Sequence, residues 1–325
     1  MAQTTPNTNG GYIAPLSSHV ERTKTTFKNR FGLSLAGDLY TARDLDRTTR
    51  HPALIVGAPY GGVKEQGPCI YANALAQRGF IVLTFDQANM GESSGEPRNL
   101  SSPELFTESF SAAVDYLGLQ PYIDRERIGV IGICGSGGFA LSAAQNDTRI
   151  RAVATVSMYD MTAAARHGLT PEQVAAAKER ISRQRWVDAE QGYPERITYF
   201  PAEPLDSVPA DLPEPTAEWF RFYALRRGHH PSALGGFTTT SDLAFLNYDL
   251  LGHLDEIAPR PILFVVGDRA HSRFFSEEAY RAAREPKELY TVDDAEHIDL
   301  YDRTDRIPFD KLERFFRDAF TDSRK

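Results

Sequence analysis

The 325-residue chain is 41% hydrophobic and carries 36 basic against 44 acidic residues, a formal charge of −8. That length supports one large core, or a core with a sizeable insertion, and the acidic balance without a long basic tract argues against nucleic acid or a charged membrane surface as a partner. Only two cysteines are present, Cys69 and Cys134, which excludes a disulfide framework and a zinc cluster and fits a reducing cytoplasm.

The chain starts with a polar stretch that lacks the basic and apolar regions of a secretory signal, and residues 1–19 read as a flexible tail. No stretch has the apolar length a membrane span needs. Extended segments at 23–29 and 33–40 flank Phe31-Gly32 and predict an antiparallel hairpin. The apolar run 53–56 ends in Gly57-Ala58-Pro59-Tyr60-Gly61-Gly62, a buried strand followed by a tight loop. A helix through Tyr71, Ala74, Leu75 and Ala76 ends at Gly79, and residues 80–85 form the next buried strand, closed by Asp86. Ser101 and Glu104 have capping-box spacing before a helix that places Phe106, Phe110, Ala113, Val114 and Leu117 on one face.

Residues 128–138 read Ile-Gly-Val-Ile-Gly-Ile-Cys-Gly-Ser-Gly-Gly, an apolar strand running into a glycine-rich turn with a thiol at its tip. A nucleophile on a sharp strand-to-helix turn needs small residues two positions away on either side, and Gly132 and Ser136 are those neighbours for Cys134. A second register makes Ser136 the nucleophile, flanked by Cys134 and Gly138. Both are sterically open; the strand pattern, which ends at Ile133, favours Cys134. No lysine follows the glycines as a phosphate loop requires, and their spacing does not fit a dinucleotide site.

Residues 152–156 are another buried strand. Residues 158–257 then show helical patches at 172–186 and 218–226 broken by Pro201, Pro204, Pro209, Pro213 and Pro215, the pattern of an inserted helical cap. Strand character resumes at 261–266, followed by a helix over 277–284, a short strand at 289–292 and a last helix with Phe309, Leu312, Phe316 and Ala319 on one face. Alternating strands and helices predict an α/β protein with a mostly parallel sheet flanked by helices, its core formed by 20–157 and 258–325. Functional groups then belong at the carboxyl ends of the strands.

Three strand ends offer a matching set in the order nucleophile, acid, histidine: Cys134, Asp268 and His297. His297 suits a general base because its ordinary pKa lies near neutrality. Asp268 would hold the imidazole tautomer, with Asp86, Asp293 and Asp294 as fallback acids and His271 as a pocket residue. Two backbone donors are needed for an oxyanion hole; the Gly135 amide is one, and Tyr60 supplies the other because Pro59 has no N–H. Aromatic residues of the inserted stretch, among them Trp186, Trp219 and Phe237, serve as its own core or as pocket walls.

From residue 23 to 320 the chain resembles the α/β-hydrolase superfamily. Within it, the chain is similar to a cysteine-elbow group labelled polyketide-transferase-like or dipeptidyl-peptidase-like hydrolases. The words that carry the likeness are Val63-Lys64-Glu65-Gln66, Gly91-Glu92-Ser93, Gly132-Ile133-Cys134-Gly135-Ser136-Gly137-Gly138, Met158-Tyr159-Asp160-Met161, Ser272-Arg273-Phe274-Phe275-Ser276-Glu277 and His297-Ile298-Asp299-Leu300-Tyr301-Asp302. The resemblance implies a Cys134–Asp268–His297 triad acting on small-molecule esters, lactones or thioesters, including acyl chains on carriers, with water or another acceptor. It implies no metal and no organic cofactor. Dienelactone hydrolases share a cysteine elbow in which a glutamate restrains the resting thiol, a role that falls here to Glu65.

Overall fold

A computed structural model describes residues 10–322. Strands β1 (Val20–Lys28) and β2 (Ser34–Ala42) form the expected antiparallel hairpin. There follow β3 (His51–Gly57), α1 (Gly67–Ala76), β4 (Ile81–Phe85), α2 (Pro103–Gly118), β5 (Ile123–Ile133), α3 (Gly135–Asn146) and β6 (Ala152–Val156). Between β6 and the next strand lie α4 (Met161–Arg166), α5 (Pro171–Gln191), α6 (Thr216–Tyr223), α7 (Asp242–Phe245) and a 3-10 turn at Leu254–Ile257. The chain closes with β7 (Ile262–Gly267), α8 (Arg273–Ala282), β8 (Lys287–Val292), α9 (Asp299–Asp302) and α10 (Phe309–Asp322).

The eight strands make one sheet in the order β1-β2-β4-β3-β5-β6-β7-β8, antiparallel through β2–β4 and parallel from there on. Strands β4, β6 and β7 are buried at every position because helices cover both faces, so they read as unbroken apolar runs. At the uncovered edge, β8 shows no fully buried residue. Phe106 and Phe110 of α2, Phe139 of α3 and Phe275 of α8 pack one face; Tyr71 and Leu75 of α1 with Leu312 and Phe316 of α10 pack the other. Parallel register aligns the strand ends: Gly57 pairs with Gly132, Ile133 with Val156, and Gly267 with Val292. The loops that follow these residues therefore meet at one end of the sheet.

Three local expectations shift. Residues 1–9 lie outside the described residues, but Tyr12 is buried, donates to Asp38 Oδ2 at 2.7 Å and is covered by the Arg22 guanidinium, and the Ile13 and Ser17 amides bond Glu65 O and Asn73 Oδ1, so the segment from Tyr12 to Ser17 is anchored to the core rather than a free tail. The cap of α2 is Ser102, whose side chain accepts from the Leu105 amide; Ser101 is drawn away to the Tyr60 hydroxyl at 2.6 Å. Helix α8 begins at Arg273, before the expected 277, because Phe275 also belongs on its buried face. Helix α5 carries a full capping box between Thr170 and Gln173 and ends on left-handed Gly192, yet only Val174 and Ile181 of its residues are buried.

Candidate active site

Cys134 occupies the single residue between β5 and α3 with φ 54° and ψ −124°. A non-glycine residue held there stores on the order of 1–3 kcal/mol and persists only where its surroundings over-determine it. Here the Cys134 amide donates to Val156 O, while its carbonyl accepts from the Gly137 and Tyr159 amides at 2.8 and 3.0 Å. The turn is so tight that a Cβ on Gly132 would sit 2.2 Å from the Ser136 carbonyl oxygen. Ser136 itself is in the first turn of α3, 1% exposed, with its hydroxyl against Gly57. The thiol, not this hydroxyl, stands at the tip.

The Tyr301 hydroxyl and the Gly135 and Tyr60 amides face the Cys134 sulfur closely enough to favour its thiolate. Burial nevertheless dominates and pushes the thiol pKa up, so the resting group is a neutral thiol. Tyr60 is locked by its ring, which lies 4.1 Å from that of Phe237 and contacts Phe106, Phe139 and Phe245, and by its hydroxyl on Ser101. A rigid side chain on the β3 loop thus fixes where its amide points.

His297 is fully buried. Its Nδ1 lies 2.6 Å from Ser272 Oγ and its Nε2 2.8 Å from Tyr301 Oη. Burial, with the neighbouring His271 adding to it, holds the imidazole pKa well below its ordinary value, so His297 is neutral at rest. Tyr301, four residues after His297, hydrogen bonds the imidazole and faces the Cys134 sulfur, so a phenol stands between thiol and imidazole.

Asp268 does not join them. It is exposed, its amide stays in register with Val292, and its carboxylate accepts from the Ala295 amide at 3.3 Å. The chain must turn through residues 269–272 before it comes back to the imidazole, and what it brings there is Ser272. The fallback acids are elsewhere: Asp294 pairs with Arg269 and Arg306, Asp293 offers only its carbonyl to Arg306, and Asp86 binds Lys64.

Glu65 is also placed away from the thiol. Its carboxylate lies 2.5 Å from the fully buried Lys64 ammonium, which Asp86 and Glu92 approach at 3.0 and 2.7 Å. Burial first, then Asp86, pushes Glu65 up to about 7. The three carboxylates are close enough to hold a cation, and the ammonium already takes that place. His271, expected in the pocket, lies against Glu218 of α6 and the Tyr159 hydroxyl, with its ring centroid 4.8 Å from that of His297.

Ser272, Tyr301, Glu218 and Tyr159 were not singled out by sequence. Three of them lie inside the resemblance words that begin at Ser272, His297 and Met158, and the spacing of four between His297 and Tyr301 was a readable helical signal. Glu218 comes from the inserted stretch and had no such signal.

A profile of the alpha/beta hydrolase fold matches residues 54–304. The uncharacterized protein PA2218 of Pseudomonas aeruginosa is 48% identical over 309 residues, which cover 93% of this chain and 82% of that one. Its crystal structure matches with a TM-score of 0.90 at 45% identity over 98% of this chain and 100% of the other. Two fungal enzymes match in part. Thiohydrolase aneE of Aspergillus aculeatus is 38% identical over 125 residues, 38% of each chain. Acyltransferase drtE of Aspergillus calidoustus is 30% identical over 166 residues, 51% of this chain and 50% of that one.

Proposed function

Because the chain belongs to the alpha/beta hydrolase family, we propose that it is an acyl hydrolase that opens carboxylic esters, thioesters or lactones through a thioester on Cys134. The observation that carries this reading is a thiol held at the tip of a strained strand-to-helix turn, faced by the Tyr60 and Gly135 amides and the Tyr301 hydroxyl. Two fixed amides at the attacking atom are also positioned to receive the carbonyl oxygen as it becomes an oxyanion.

With Nδ1–H donated to Ser272, the Nε2 of His297 accepts the Tyr301 hydroxyl, and that oxygen is free to accept the Cys134 S–H. As sulfur attacks, its proton passes to Tyr301 while the tyrosine proton passes to His297. The collapsing tetrahedral intermediate then takes a proton back onto its leaving group by the same route. A serine hydroxyl stabilises the imidazolium less than a carboxylate does, so the base is weakly supported. That favours substrates with good leaving groups, namely thioesters, aryl esters and strained lactones, over amides.

A transfer reaction is the second reading. Cys134 is 9% exposed and His297 is fully buried beneath the segment between β6 and β7, an environment that disfavours bulk water as the acceptor. The partial likeness to a thiohydrolase and an acyltransferase supports both outcomes, and acyl chains on carriers belong to either. Treatment with an activated aryl ester, followed by acid quench and peptide mapping, tests the site. The adduct is expected on Cys134; an adduct on Ser136, or none, would overturn the reading.

A further inference from the structure

His297 has both ring nitrogens engaged, and a second imidazole in the same cluster has no part in the acylation step. His271 Nδ1 lies 3.0 Å from Glu218 Oε2, and its Nε2 lies 2.8 Å from the Tyr159 hydroxyl. Glu218 is 7% exposed, and its other oxygen accepts the Ile298 amide at 2.7 Å, so the carboxylate is fixed beside the loop that carries His297. Tyr159 stands edge-on to the His297 ring at 5.3 Å, and its amide is held by the Cys134 carbonyl.

Two tyrosine–histidine pairs, Tyr301–His297 and Tyr159–His271, therefore meet near one cysteine. They differ in two ways that matter for chemistry. His297 is sealed from solvent and backed by a neutral hydroxyl; the His271 side chain is 24% exposed and backed by a carboxylate. A carboxylate behind the ring fixes its tautomer and stabilises its protonated form. Once Cys134 is acylated, moreover, no S–H remains to feed Tyr301, whose phenol still covers the His297 nitrogen.

We propose that His271, oriented by Glu218, is the base that activates the acceptor, water or a small alcohol, in the second half-reaction. This rests on the acyl-Cys134 reading above. The His271 Nε2 gives up the Tyr159 hydroxyl and takes the proton of the incoming O–H as oxygen bonds to the thioester carbon. The oxyanion settles on the Tyr60 and Gly135 amides. The C–S bond then breaks, and the imidazolium returns the proton to the departing sulfur, restoring the neutral thiol. His271 is thus a catalytic residue of deacylation, and Glu218 a positioning residue behind it.

Rapid mixing with an activated aryl ester separates the two steps. His271→Gln is expected to keep the burst of released aryl alcohol within about threefold of wild type and to slow steady-state turnover by roughly a hundredfold, a typical loss for removing a general base. Acyl-Cys134 should accumulate in the intact mass. Hydroxylamine, a nucleophile strong enough to attack a thioester without a base, should release that adduct at the same rate from variant and wild type. Glu218→Gln, which keeps an acceptor for the Ile298 amide, should likewise keep the burst while slowing turnover about tenfold, and serves if His271→Gln does not fold. Unchanged turnover in both variants, equal loss of burst and turnover, or an adduct resistant to hydroxylamine would overturn the proposal. A wild type with no burst and no Cys134 adduct would instead overturn the acyl-enzyme reading on which it rests.

Discussion

The elbow at Cys134 and the surroundings of His297 meet at Tyr159 and are built on opposite principles. The elbow is fixed by backbone: three main-chain hydrogen bonds on Cys134, a left-handed φ, and a glycine at 132 where any side chain would strike the Ser136 carbonyl. The His297 imidazole is fixed by side chains contributed from separate places, with Ser272 entering from the start of α8, Tyr301 from α9 and Glu218 from α6 by way of His271. A backbone device tolerates almost no substitution and leaves a local pattern in the sequence. A side-chain network can exchange one partner for another, as Ser272 stands where an acid was expected.

Substitutions that break this contrast should differ in kind as well as size. Gly132→Ala should act on the fold: with a Cβ at 2.2 Å from backbone, overpacking of about 3 kcal/mol is expected, read as a lower urea midpoint, and wild-type stability would contradict a sterically closed elbow. Tyr301→Phe should act on chemistry, lowering the acylation burst by on the order of a hundredfold as the proton path is cut, with circular dichroism unchanged. A burst at wild-type rate would mean that His297 reaches the sulfur without the phenol. Ser272→Ala should slow acylation about tenfold by freeing the imidazole to rotate, and Asp268→Asn should leave it within about twofold. The reverse ranking would restore Asp268 as the partner of His297.

What was legible follows the same division. Buried strands of a parallel sheet announce themselves as apolar runs, and β3, β4, β6 and β7 lie within a residue or two of their expected places. The tip of the elbow was legible because the run 128–133 stops there. Asp268 was misread because a strand end fixes where a residue lies and not where its side chain turns; its carboxylate is held by the Ala295 amide across the β7–β8 ends. Glu65 was misread because the nearest cation, Lys64, adjoins it in sequence and captures it. Ser101 looked like a cap until Tyr60, distant in sequence, proved the better partner. Contacts such as Glu218 to His271, 53 residues apart, have no local signature.

The claim on which these outcomes depend is that Cys134 is a nucleophile stored as a neutral thiol and deprotonated only as it attacks. Burial raises its pKa above the ordinary thiol value of about 8.5, so the thiolate fraction at neutral pH is smaller than in a free thiol and grows only as pH rises through the raised value. Alkylation of Cys134 by iodoacetamide, followed by mass spectrometry across pH 6 to about 10.5 and compared with a small thiol in the same buffers, measures this directly. Slow labelling at pH 7, with a rate that climbs at higher pH than for the small thiol, is expected; a rate already at its plateau at pH 7 would show a resting thiolate and overturn the neutral-thiol reading.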